Sequence, residues 1–263
     1  MNYQDICSQV AGLAIETGKY IRTEIANFDS SRIETKGKND FVSYVDKTTE
    51  KKLVEKLSRI VPEAGFIAEE GTRSDRGEVY NWIVDPLDGT TNFIHGLFPV
   101  CISIALRENG KTVVGVVYEI GLGECFTASL GGGAFLNGKP IHVSARKTLR
   151  ESLVGTGFPC SDYSKLHSFM KSMDYLMQNT HGMRRIGSAA ADLIYVACGR
   201  FDCFYEYGLS PWDVAAGAFI VEEAGGRVSD FSGGGNYIFG KEILAANAEV
   251  FGEFVAKVKS FME

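Results

Sequence analysis

The sequence predicts an α+β fold, with an antiparallel sheet in the first part of the chain and a mixed α/β arrangement in the second. Three observations lead there. Two amphipathic helical patterns open the chain. Five short β-type runs then follow too closely for crossover helices between them, which favours antiparallel pairing. Beyond about residue 150, strand and helix patterns alternate.

The first helix rests on Val10, Leu13, Ala14, Ile21 and Ile25, near helical spacing within residues 3–26. The second, over residues 47–61, repeats the pattern with Leu53, Val54, Leu57, Ile60 and Val61. The β-type runs are Gly65–Ala68, Tyr80–Val84, Val100–Leu106, Thr112–Tyr118 and Cys125–Ala128. Gly133–Lys139 matches GxxxxGK, the spacing of a nucleotide phosphate loop, but Pro140 occupies the Ser/Thr position such a loop needs. Asn137-Gly138 between AFL and PIHV predicts a two-residue hairpin turn with positive φ instead.

The second part reads as strand Ser152–Thr156, helix Tyr163–Gln178, strand Arg184–Ile186, helix Ala189–Cys198, strand Asp202–Glu206 and helix Trp212–Ala224. A flexible loop at Ser232–Gly235, a strand at Ile243–Ala246 and a helix at Val250–Met262 complete it. No repeat or linker separates independent units, so residues 1–263 are expected to form one domain with sub-regions of about 1–150 and 151–263.

The 263 residues are 45% hydrophobic, enough for a sizeable core, and carry a formal charge of -6 with no long Lys/Arg run. Nucleic acid is therefore not an expected principal partner. No uncharged apolar stretch is long enough to span a bilayer, so no membrane association is expected. Asp5 and Glu16 interrupt the amino-terminal apolar pattern, which does not read as an export signal, and the expected location is cytoplasmic. The six cysteines are scattered without a CxxC pair and read as buried reduced thiols.

The chemistry concentrates in WIVDPLDGTTNF, residues 82–93. An apolar strand ends on Asp85 and Asp88, with Pro86 between them and Gly89, Thr90 and Thr91 at a helix start. Turn-forming loop acids would account for either aspartate alone. Two carboxylates aimed at one centre, however, repel by roughly 4 kcal/mol at intermediate dielectric and call for a cation. Glu69 and Glu70 end another apolar run. Ser210-Pro211-Trp212-Asp213 opens a helix, where Asp213 reads equally as part of a helix-initiation box and as a ligand. Such oxygen donors, without His or Cys spacing, suit magnesium or manganese rather than zinc.

These segments resemble the inositol monophosphatase family of magnesium-dependent, lithium-sensitive phosphatases. The resemblance rests on EEG (69–71), WIVDPLDGTTNFIHG (82–96) and WDVAAGAFIVEEAGG (212–226), and extends from NDFVSYVD (39–46) through GRFDCFYEYGLSPWD (199–213). It implies a layered αβαβα sandwich and a homodimer. It also implies that Glu69, Asp85 and the Leu87 carbonyl hold one Mg2+, that Asp85, Asp88 and Asp213 hold a second, and that Glu69 helps orient the nucleophile. Mn2+ would substitute, and Li+ would inhibit. Asp46 and Thr90 would activate the attacking water, and the N–H groups of Gly89, Thr90 and Thr91 would cradle phosphate.

By the same resemblance, Asp88, Gly187, Ser188, Ala189, Glu206 and Asp213 would contact the substrate, a small phosphate monoester, of which myo-inositol 1-phosphate fits best. A solvated strand-end acid is the plain alternative for Glu206. Arg184-Arg185 could accept a second phosphate, which keeps fructose 1,6-bisphosphate open beside 3'-phosphoadenosine 5'-phosphate. Lys36, in ETKGKND, falls in a mobile loop and could bring positive charge to the site, although a surface lysine is the simpler reading. A non-catalytic protein using the acidic loops to bind ions and a partner is the rival from another class; an intact Thr90 and phosphate cradle argue against it.

Overall fold

The computed structural model describes residues 1–27, 33–37, 40–159 and 162–262, and of residues 26, 33–37 and 40–43 the backbone alone. In chain order the elements are α1 (Tyr3–Ala26), β1 (Ile33–Gly37), β2 (Asp40–Ser43), α2 (Tyr44–Ile60), β3 (Gly65–Ala68), β4 (Tyr80–Asp88), α3 (Thr90–Ile94), β5 (Cys101–Glu108), β6 (Lys111–Glu119), β7 (Glu124–Ser129), β8 (Gly133–Leu136) and β9 (Lys139–Ile141). There follow β10 (Leu153–Thr156), α4 (Leu166–Asn179), β11 (Gly182–Arg184), α5 (Ala189–Ala197), β12 (Cys203–Tyr207), α6 (Pro211–Glu223), β13 (Gly226–Ser229), β14 (Glu242–Asn247) and α7 (Phe251–Met262).

Two sheets carry the fold, one of seven strands in the order β3-β4-β5-β6-β7-β8-β9 and one of five in the order β11-β10-β12-β14-β13. Helices α1 and α2 cover one face of the larger sheet. Helices α5 and α6 fill the space between the two sheets, and α4 and α7 cover the outer face of the smaller one. The result is the αβαβα layering expected from the resemblance, with an apolar cluster at each boundary. β4 is buried on both faces, Trp82 and Val84 packing towards α1 and α2, and Ile83 towards α5 and α6. Burying a side chain such as Ile83 or Phe66 contributes roughly 1.5–3 kcal/mol. That burial anchors the strand whose end carries Asp85 and Asp88.

Several expectations need correction. The first sheet is not wholly antiparallel: β3 and β4 pair in parallel, with Ala68 opposite Val84. Residues 69–79 make the return without a helix, which spacing alone could not reveal. This pairing sets Glu69 and Asp85 side by side at the carboxyl ends of both strands, whereas antiparallel pairing would part them. The strand expected at Arg184–Ile186 lies at Gly182–Arg184, leaving Arg185 and Ile186 outside the sheet. The segment around Lys36 is a strand, β1, paired with β2, rather than a loop. The Lys36 side chain lies outside the described residues, as does Cys160. The Asn137-Gly138 turn holds as expected, with φ of 49° and 76°.

Candidate active site

β4 loses its regularity where the acids begin. Asp85 pairs with Ser103 and Asp88 with Cys101, so three steps along β4 face two along β5. In a regular strand, residues three apart point to opposite faces. The extra residue of this bulge restores the parity and turns Asp88 to the side of Asp85. Pro86 sits inside the bulge, where no ladder donor is required of it.

Asp213 arrives from the start of α6. Ligand oxygens of Asp85, Asp88 and Asp213 lie within 4.8 Å of one another, the cluster of this kind found among the described residues. Each carboxylate is anchored through a hydrogen bond to its own surroundings. The Leu87 N–H donates to Asp85 Oδ1 at 2.8 Å. Ser188 Oγ and the Ala190 N–H donate to Asp88 Oδ2 at 2.6 and 2.7 Å. The Ser210 N–H donates to Asp213 Oδ2 at 2.6 Å. Asp213 therefore closes the capping box of α6 while also facing the other acids, and both readings of its sequence context hold.

Electrostatics follow from this crowding. Asp85 is 2% exposed, and burial, then Glu69, Asp88 and Asp213, hold its carboxyl well above the usual carboxylate range. Asp88 is pushed up to about 6 by burial, against hydrogen bonds from Ser188, Ala190 and Gly89. Asp213 is pushed up to about 7 by burial and the Asp88 charge. One buried and two half-buried carboxylates that resist carrying charge together are what a divalent cation would relieve, and the donor chemistry fits magnesium or manganese.

Beside the acids, Thr90 Oγ1 donates to Asp46 Oδ1 at 3.0 Å, with the Leu87 carbonyl at 3.1 Å as a second acceptor for the same proton. Asp46 comes from α2 and is 1% exposed. Gly89, at φ 97°, precedes α3; a Cβ there would lie 2.9 Å from the Pro99 carbonyl, so only glycine lets the chain turn into the helix. Glu69, Asp88, Gly89, Thr90, Thr91 and Asp213 open on one cleft of about 310 Å³, which Gly187, Ser188, Ala189, Glu206 and Arg185 also line.

The structure thus brings the acids and the Thr90 pair together and parts the two arginines. Arg185 reaches the cleft and lies over the Phe158 ring at 5.4 Å, whereas Arg184 stays exposed on β11 and donates to the Met183 carbonyl. Ser188 is the N-cap of α5 and accepts from the Ala191 N–H, so its hydroxyl serves both helix and Asp88.

Supporting residues that the motifs do not announce also appear. Buried Glu50 of α2 accepts from the Glu70 and Thr72 N–H groups, both at 2.7 Å, and fixes the turn after Glu69. Asn92 donates to the Pro99 and Ile186 carbonyls at 2.9 and 2.8 Å, tying α3 to the segment before Gly187. Asp192 enters the cleft wall as well. A helical Asp amid alanines and the alternating glycines of VGTG (154–157) were signals that pattern reading passes over.

The comparisons with known proteins agree with this geometry. A model of the inositol monophosphatase family matches residues 2–262. The chain is 42% identical over 243 residues to a protein named Nus factor SuhB from Pseudomonas aeruginosa, covering 90% of each chain. It is 38% identical over 247 residues to an inositol-1-monophosphatase from Mesorhizobium japonicum, covering 94% of this chain and 93% of the other. The crystal structure of extragenic suppressor protein suhB from Bartonella henselae superposes with a TM-score of 0.91 at 37% identity, over 96% of this chain and 97% of that one. With the family's fold, its motifs and nearly its full length present, the chain belongs to the inositol monophosphatase family and is a phosphatase.

Proposed function

We propose that the protein hydrolyses a phosphate monoester, myo-inositol 1-phosphate first among them, with Mg2+ held by Glu69, Asp85, the Leu87 carbonyl, Asp88 and Asp213. The observation that carries this reading is the convergence of three carboxylates within 4.8 Å beside the Thr90–Asp46 pair. Bound there, a divalent cation supplies positive charge to the phosphoryl oxygens and makes nearby water more acidic.

The chain's own residues do the rest. Asp46 holds the Thr90 hydroxyl proton, which turns the Thr90 lone pairs outward to accept a hydrogen bond from the attacking water and aim it. Glu69 flanks that water and accepts its second hydrogen. The N–H groups of Thr90 and Thr91, in a first helical turn with no carbonyl four residues back to take them, are donors for the phosphoryl oxygens, joined by the Gly89 N–H, which Asp88 also accepts. Gly187, Ala189 and Glu206 border the leaving alcohol, while Ser188 keeps Asp88 aimed. Positioned charge and donors of this kind supply most of what phosphoryl transfer requires.

The test is phosphate release from myo-inositol 1-phosphate, fructose 1,6-bisphosphate and 3'-phosphoadenosine 5'-phosphate, with magnesium or manganese, with lithium, and with excess chelator. Turnover that requires the cation, falls with lithium and is fastest on the inositol ester is expected. Undiminished turnover in chelator overturns the metal assignment. Several relatives bear the name Nus factor. Should no ester be cleaved, an ion-binding protein with a macromolecular partner becomes the better account.

A further inference from the structure

Asp192 and Glu206 stand out because, among the described residues, no hydrogen-bond donor satisfies them, and Arg185 acts on them only through its charge. Asp192, on α5, is 1% exposed, and Glu206, on β12, is 9% exposed; both line the cleft. Among the described residues no hydrogen bond reaches either carboxyl, and Asp192 Oδ1 is fully enclosed without a partner. Buried polar groups are otherwise nearly always paired.

The chain also makes room for them. A Cβ at Gly155 would lie 2.7 Å from Asp192 Oδ1, and one at Gly157 would lie 1.9 Å from Glu206 Oε1. Thr156 between them turns the other way, donating to the Tyr205 carbonyl at 2.9 Å. Two glycines, alternate along one segment, thus let two carboxyls that lack donors pack directly against the backbone. The two acids are close enough for Glu206 to hold the Asp192 carboxyl above its ordinary range, after burial itself.

We propose that Asp192 acts with Glu206 as a paired acceptor for hydroxyl groups of the leaving alcohol, selecting an uncharged polyol. This rests on the phosphatase reading above and adds to it a specificity-determining residue. Acceptors without donors suit a ring bearing several O–H groups, and a polar site built for hydroxyls rejects analogues that lack them. The same pair disfavours a second phosphate on the leaving group, because two acids face it and, among the described residues, Arg185 is the cation that borders the cleft there. Fructose 1,6-bisphosphate is then the poorer substrate.

The test compares two ring-matched esters, myo-inositol 1-phosphate and cyclohexyl phosphate, on the wild-type protein and on Asp192→Ala and Asp192→Asn. The wild type should favour the inositol ester in kcat/KM by about 100-fold or more. Asp192→Ala should lower that ratio by about tenfold, chiefly through the KM of the inositol ester. Asp192→Asn, which keeps one acceptor oxygen, should fall between. Equal loss on both esters, or a ratio within twofold of wild type in the folded variants, overturns the proposal. If Asp192→Ala does not fold, Asp192→Asn and the wild-type ratio decide it. A wild type that cleaves both esters equally well refutes the role of Asp192 and leaves the phosphatase reading standing, whereas one that cleaves no phosphate monoester ends both.

Discussion

The carboxylates at the end of β4 and the start of α6 differ from those on α5 and β12 in what has been done with their oxygens. Asp85, Asp88 and Asp213 each spend an oxygen on a hydrogen bond from the chain and aim at one another. Among the described residues Asp192 and Glu206 receive no such bond, though they are at least as deeply enclosed as Asp88 and Asp213. Anchored acids keep a fixed geometry, which an ion of strict coordination rewards. Unanchored ones leave their acceptor capacity to whatever enters the cleft. On the readings proposed above, equal chemistry separates into two tasks according to the backbone donors nearby.

The sharpest way to break this comparison is to damage the anchored set. Asp88→Asn removes a charge from the centre while keeping the shape and the acceptor for Ser188 and Ala190; turnover should fall by at least about 10²-fold in a steady-state phosphate-release assay, with the fold retained by circular dichroism. A smaller effect is expected from Ser188→Ala. It leaves every acid in place but removes the 2.6 Å bond to Asp88 Oδ2. Magnesium affinity should weaken roughly 10- to 100-fold in a metal titration, as for other residues that orient ligands.

The smallest effect concerns stability and pH. Asp88 at about 6 and Asp213 at about 7 lie above the ordinary value of unfolded aspartate, so the folded chain binds more protons than the unfolded one between these limits. Stability that is present below about pH 4 on this account is lost as pH rises through 6 and 7. Exposed Asp75 and Asp162 and half-buried Glu108, held below their ordinary values by Arg73, Ser164 and Tyr3, act in the opposite sense only at more acid pH. Chelated protein should therefore melt at a higher temperature at pH 5.5 than at pH 8, and magnesium should raise the melting temperature more at pH 8. Equal melting temperatures across that interval would remove the argument from charge crowding.

Much of this was legible in the sequence because short-range rules govern it. The amphipathic helices, the Asn137-Gly138 turn and the succession of elements after residue 150 follow from periodicity and turn chemistry within a few residues. The acids of WIVDPLDGTTNF and SPWD were legible as candidates, and the family resemblance supplied their grouping. What escaped depends on contacts between distant segments. No local pattern states that β3 returns parallel to β4, that a bulge turns Asp88 towards Asp85, or that Glu50 holds the turn after Glu69. Asp192 sits in an alanine-rich helix where nothing marks it, and its significance emerges only with Gly155 placed against it.

Asp213 closes the first turn of α6 and also faces the other acids, and α6 lies between the two sheets. On the proposed reading, ion loading and the winding of that helix are linked. If the proposed cation is held there, its withdrawal is expected to raise amide deuterium uptake at Trp212 to Ala215, a gauge of occupancy that needs no substrate.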